Sequence, residues 1–101
     1  MSVTAWKSEY PIRVVGIELT LHPRRLDIRY RESEAESECT LGVLVPREVG
    51  AFCDKLDDCY ELRIVDTNSE DGGQRNFGRY RLELWDEDNA IAAVLIDGYE
   101  V

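Results

Sequence analysis

The chain has 101 residues, room for one domain with a single core and too few for two. Acidic residues number 21 against 12 basic ones, and the resulting net charge of −9 disfavours nucleic acid as a partner. No apolar run approaches the ~18 residues of a membrane span, the N-terminus lacks a signal-peptide core, and the three cysteines form no C-x-x-C pair. The expectation is a cytoplasmic protein in a reducing compartment, with no membrane attachment.

Residues 1–11 read as an N-terminal arm that Trp6 and Tyr10 could fasten and Pro11 ends. Residues 12–21, IRVVGIELTL, alternate with period two: Val15, Ile17, Leu19 and Leu21 on one side, Gly16, Glu18 and Thr20 on the other. The turn HPRR follows, and then Leu26, Ile28 and Tyr30 alternate with Asp27, Arg29 and Arg31, which completes a hairpin with one wet face. ESEAESE, residues 32–38, is too charged to pack and is expected to be a solvated connection or frayed strand ends. CTLGVLV, residues 39–45, has the composition of a third strand, closed by Pro46.

After it, Val49, Phe52, Cys53 and Leu56 stand at i, i+3, i+4 and i+7, the spacing of one amphipathic helix. Strands are expected again at ELRIVDT and at RYRLELW, where Tyr80, Leu82 and Leu84 share a side, with the glycine-bearing loop NSEDGGQRNFG between them. DEDN, residues 86–89, is a hairpin turn, and AIAAVLIDGYEV forms a last strand that is apolar on both faces. The predicted fold is α+β: a single domain over 1–101, with one mostly antiparallel sheet of about six strands in the order βββαβββ and one helix packed on a face.

Several stretches suggest chemistry. CDKLDDC holds Cys53 and Cys59 six residues apart. On one helix their directions differ by roughly 120° and their Cα atoms stand about 9 Å apart along the axis, too far for a disulfide. Cys53 on the apolar stripe reads as a small core residue. DTNSEDGG puts Asp66, Asn68 and Glu70 at the first, third and fifth places of a calcium loop, but Asp71 stands where glycine is needed and Phe77 where a bidentate glutamate is needed. His22 is the only histidine and precedes Pro23 in a turn. No phosphate loop, dinucleotide fingerprint or zinc spacing occurs, so neither a cofactor nor a metal site is expected, and no catalytic residue is assigned.

The charge divides unevenly: through Arg31 six bases face three acids, and from Glu32 onward six bases face eighteen acids, +3 against −12. Two surfaces follow from this. The first is acidic: Glu32, Glu34, Glu36 and Glu38, with Asp54, Asp57 and Asp58 from the helix and Asp86, Glu87 and Asp88 from the turn. Such a cluster would steer a basic protein partner by long-range attraction. The second is the far face of the sheet, where alternation places Arg29, Arg31, Arg63 and Arg81 with Trp85, Val94 and Ile96. Trp and Arg are common interface anchors, whereas cross-strand pairing with Glu18, Asp27 and Glu83 would make these arginines structural.

The leading expectation is a small, acidic, non-catalytic interaction domain, an inhibitor or immunity-type protein that neutralises a basic partner. That comparison rests on size, acidity and class, with no shared motif. Two alternatives stand beside it: a homodimer or adaptor, chaperone-like, assembled through the Trp85 face, and a domain that holds an anionic ligand on its arginines.

Overall fold

In the computed structural model of the chain, residues 3–32, 37–44, 49–67 and 80–101 are described. Eight strands form in chain order, β1 (Val3–Lys7), β2 (Ile12–Leu21), β3 (Arg24–Glu32), β4 (Cys39–Leu44), β5 (Glu61–Asp66), β6 (Tyr80–Trp85), β7 (Ala90–Ile96) and β8 (Gly98–Glu100). A short helix α1 (Val49–Asp54) and a 3₁₀ turn (Leu56–Asp58) lie between β4 and β5. The strands make two four-stranded sheets, ordered β1-β5-β6-β7 and β2-β3-β4-β8, with every pairing antiparallel.

The expected α+β fold with a single sheet of about six strands is therefore wrong: the chain is mostly β, two four-stranded antiparallel sheets with one short helix. Two segments account for the difference. VTAWK, read as part of an arm, pairs with β5 as an edge strand, and the last apolar run does not continue as one strand. The run breaks at Asp97, whose N–H donates to the Leu44 carbonyl at 3.2 Å, and the chain crosses to the other sheet as β8. Alternation shows that a segment is a strand and which side it buries, but it carries no information about which sheet the strand joins.

The two sheets share one core. Leu26, Ile28, Tyr30, Leu41 and Val43 from the second sheet meet Leu62, Ile64, Leu82, Leu84, Val94 and Ile96 from the first, with Phe52, Leu56 and Cys59 between the strands. Each such aliphatic side chain contributes roughly 1.5–3 kcal/mol when fully buried. Two edge-to-face aromatic pairs link the sheets: Trp6 on β1 with Tyr30 on β3, centroids 6.4 Å apart, and Tyr80 on β6 with Tyr99 on β8, 5.3 Å apart. Val94 and Ile96 thus face the core and do not share a face with Trp85.

The helix stripe is where its spacing placed it, with Phe52 and Leu56 buried and Val49 and Cys53 packed on the core. The helix itself stops at Asp54, after six residues. It does not lie across a sheet face: α1 packs beside β7 and the 3₁₀ turn beside β2, so the segment closes the side of the sandwich where those two sheet edges meet. The β2–β3 register shifts between Val14 and Gly16, leaving Val15 as the extra residue of a bulge. Val15, Ile17, Leu19 and Leu21, which the alternation placed on one side, are 41–61% exposed on β2, an edge strand. Pro46, the loop over 68–78, and Asn68 and Glu70 of the calcium-like stretch lie outside the described residues.

Candidate functional site

Four connections meet at one end of the sandwich. β1 ends there and β2 begins; β3 ends and β4 begins; the 3₁₀ turn leads into β5; β6 turns into β7. The last strand, β8, finishes towards the same end, with Glu100 opposite Gly42. The acidic residues belong largely to these connections. Glu32 closes β3, Glu38 precedes β4, Asp57 and Asp58 lie in the 3₁₀ turn, and Asp86, Glu87 and Asp88 form the β6–β7 turn. Asp54 stands slightly apart as the last residue of α1, and Glu34 and Glu36 lie outside the described residues.

The segment from Ser8 to Ile12 ties this end together as it passes from one sheet to the other. Ser8 is buried, donates its N–H to the Leu62 carbonyl and accepts the Leu62 N–H on its hydroxyl, both at 2.9 Å. The Glu9 N–H donates to Glu32 at 3.0 Å. Tyr10, after which the bond to Pro11 is cis, packs edge-on against Tyr60 with centroids 6.4 Å apart. The Tyr60 carbonyl accepts from Ile12 N–H and its own N–H donates to the Trp85 carbonyl, so Tyr60 is joined to both sheets.

Tyr10 and Tyr60 nonetheless keep 51% and 43% of their surface exposed. The Tyr10 hydroxyl is held above its ordinary pKa, first by desolvation and then by the negative charge of Glu87, Asp88 and Glu61, with the neighbouring Tyr60 also contributing. A depression of about 320 Å³ beside the pair is lined by Lys55, Asp58, Tyr60, Asp86 and Ile91. The result is two exposed, rigidly backed aromatic rings with Asp57, Asp58, Asp86, Glu87 and Asp88 around them and the cations Lys55 and Arg13 beside Tyr60. The sequence marked Tyr10 only as a residue that could fasten the arm, and it did not mark Tyr60 at all. A tyrosine before proline and another after a cysteine carry no periodic signal.

Within the acidic set the residues differ in duty. Asp86 Oδ1 accepts the N–H groups of Asn89 at 2.7 Å and Asp88 at 2.9 Å, and these bonds hold its carboxyl below the usual range. It is the keystone of the turn. Glu32 accepts from Glu9 N–H and, at 3.5 Å, from the Cys39 thiol, and Glu38 stands 3.8 Å from Arg31. Asp57, Asp58, Glu87 and Asp88 make no such bond through their side chains among the described residues.

The arginines expected on one far face divide between two faces that point in opposite directions. Arg29 and Arg31 lie on the outer face of the second sheet; Arg63, Arg81 and Trp85 lie on the outer face of the first. The latter three are locked together. Arg63 Nε donates to Glu61, its guanidinium stacks 3.9 Å over the Trp85 ring, Trp85 Nε1 donates to Glu83 at 2.9 Å, and Arg81 Nε donates to the other oxygen of Glu83 at 2.8 Å. The expected convergence of arginines on an anion is absent for this pair of faces, and Trp85 is covered by an intramolecular cation.

All three cysteines are free thiols. Burial pushes Cys59 up to about 11, with its thiol donating to the Glu61 carbonyl at 3.2 Å, and Cys39 and Cys53 are also raised, first by desolvation. A thiol kept protonated is a poor nucleophile and metal ligand. Among the described residues no group of three or more His, Cys, Asp or Glu is placed to hold a metal ion, and no helix is long and apolar enough to cross a membrane. No protein-family model, curated protein or solved structure matches the chain.

Proposed function

We propose that the chain is a non-catalytic binding domain that occupies a basic protein partner, in the manner of an inhibitor or immunity protein, through its acidic, tyrosine-bearing end. The observation that carries this reading is the meeting of Asp57 and Asp58 from the 3₁₀ turn with Glu87 and Asp88 from the β6–β7 turn around exposed Tyr10 and Tyr60. Carboxylates supply attraction at range, and tyrosines supply rigid contact area at little cost in side-chain entropy. The test is capture from native lysate at low salt by the wild-type chain and by a variant with Asp58→Asn, Glu87→Gln, Asp88→Asn and Tyr60→Ala. The reading requires a basic protein retained by the wild type only, with an association rate that falls steeply as salt rises; identical capture by both chains ends it.

A second reading, self-association, is favoured by one observation: Val15, Ile17, Leu19 and Leu21 are exposed on the edge strand β2. It predicts a dimer by light scattering that Leu19→Lys converts to monomer, and a monomeric wild type excludes it. This dimer would use β2 in place of the Trp85 face.

A further inference from the structure

The two halves of the edge strand β2 differ in what lies beside them. At its start the edge is taken: Ile12 N–H donates to the Tyr60 carbonyl, and the 3₁₀ turn packs beside the strand. Between turn and strand lies a depression of about 180 Å³, lined among others by Val14, Ile17, Cys53, Leu56 and Asp57. A three-residue 3₁₀ turn is only about 6 Å long, whereas ten strand residues extend about 33 Å, so the second half of the edge lies beyond the turn. Among the described residues, nothing but β3 hydrogen-bonds to residues 17–21. The core-facing side chains of this half run past the end of the core. Ile17 and Leu19 stand opposite Ile28 and Leu26, Leu21 stands opposite Arg24, and Leu21 keeps 61% of its surface exposed.

We propose that residues 17–21 pair with the same residues of a second copy, antiparallel about a two-fold axis at Leu19, so that the β2-β3-β4-β8 sheets of both copies join edge to edge. The inference rests on the self-association reading and specifies its register. Three observations select that register. It sets Glu18 opposite Thr20 of the second copy, whereas an axis at Glu18 would oppose two like charges. It brings Leu21 opposite Ile17 of the second copy, on the side where the depression opens, so each copy's most exposed β2 leucine fills the other's depression. It also carries Arg24, beside Leu21, towards Asp57 in that depression, and neither residue makes an ion pair among the described residues. The net charge of −9 does not oppose the pairing. Leu19 stands about 23 Å along the strand from Ile12, so the two acidic ends lie roughly 45 Å apart, several Debye lengths. A basic segment of another protein is a poorer occupant, because β2 and β3 carry more arginine than acid.

The test is the mass of the full chain by light scattering and sedimentation, with amide dispersion verifying that each variant folds. Wild type is expected to be a dimer. Leu21→Asp should be monomeric, because it puts a carboxylate into the depression that already holds Asp57. Arg24→Asp and Asp57→Arg should each raise the dimer dissociation constant at least about tenfold, and the double variant, which exchanges the two charges, should return it to within about threefold of wild type. A dimer that Leu19→Lys breaks, but that Leu21→Asp and both single charge variants leave intact, overturns this register and leaves self-association standing. Failure of the double variant to recover overturns the Arg24–Asp57 contact and the register with it. A wild type still monomeric at about 1 mM overturns both the register and self-association, and the capture experiment then judges the acidic end by itself. A monomer whose amides at residues 17–21 shift only when a captured partner is added gives this edge to that partner and overturns the second copy.

Discussion

A Cβ on Gly42 would fall on the guanidinium of Arg25 and lie 2.9 Å from Asp27 Oδ1. The Arg25 guanidinium lies over Gly42 of β4, held by Asp27 of its own strand at 2.8 Å and by Glu100 of β8 at 3.3 Å. Gly42→Ala is expected to push these flexible side-chain ends aside and to lower stability by no more than about 1 kcal/mol in urea melts, the worth of a partly exposed ion pair. Asp86 makes a second prediction. Its carboxyl is depressed in the folded chain, so it stabilises the fold above its unfolded pKa, and that contribution is lost as pH falls through the folded value. Asp86→Ala should melt below wild type at neutral pH, with the gap closing in strong acid. Cys59 and Tyr30 act at the other extreme. Burial raises them to about 11 and about 12 from ordinary values of 9.0 and 10.0. The unfolded chain ionises first, so stability is complete below pH 9 and falls as pH climbs towards 12. A melting temperature flat from pH 8 to pH 12 would contradict this assignment.

Among the elements, the strands were legible wherever the pattern was local. β3 and β6 bury Leu26, Ile28, Tyr30, Leu82 and Leu84 as their alternation required, and the turn at 86–89 is where the sequence put it. Leu82→Ala, in the middle of such a strand, should cost about 2–5 kcal/mol by urea denaturation, in keeping with a fully buried leucine. Three features were not legible, each for a physical reason. The bulge at Val15 has no marker in IRVVGIEL, because it answers to the partner strand and not to its own residues. Sheet membership of β1 and β8 depends on partners far along the chain. The helix was read too long because the stripe continues to Leu56 and Cys59 while the backbone tightens into a 3₁₀ turn at Leu56. Of the candidate site, the acids were visible as composition, but Tyr10 and Tyr60 become neighbours only when the two sheets close.

Over the whole molecule, charge is placed with little concern for balance. The arginines on the first sheet are each matched by a carboxylate, whereas Asp57, Asp58, Glu87 and Asp88 crowd one end. Like charges held together oppose folding, so Glu87→Gln with Asp88→Asn is expected to raise the melting temperature at low salt, with the gain fading at high salt. A rise in stability accompanied by loss of partner capture is the signature of a surface kept for binding.

The exchange of outer strands has a consequence of another kind. β1 completes the sheet built by β5, β6 and β7, and β8 completes the sheet built by β2, β3 and β4, so each half of the chain is clasped by a strand from the other. Neither three-stranded meander is finished by its own neighbours. During synthesis β1 has no partner until β5 emerges, and the second sheet stays one strand short until Gly98–Glu100 is made. Assembly should therefore be all-or-none and comparatively slow, with distant pairings closing last. Once closed, each clasp is covalently continuous with the opposite sheet, β1 running through residues 8–11, Tyr10 among them, into β2 and β7 running through Asp97 into β8, so the two sheets are joined at both chain ends.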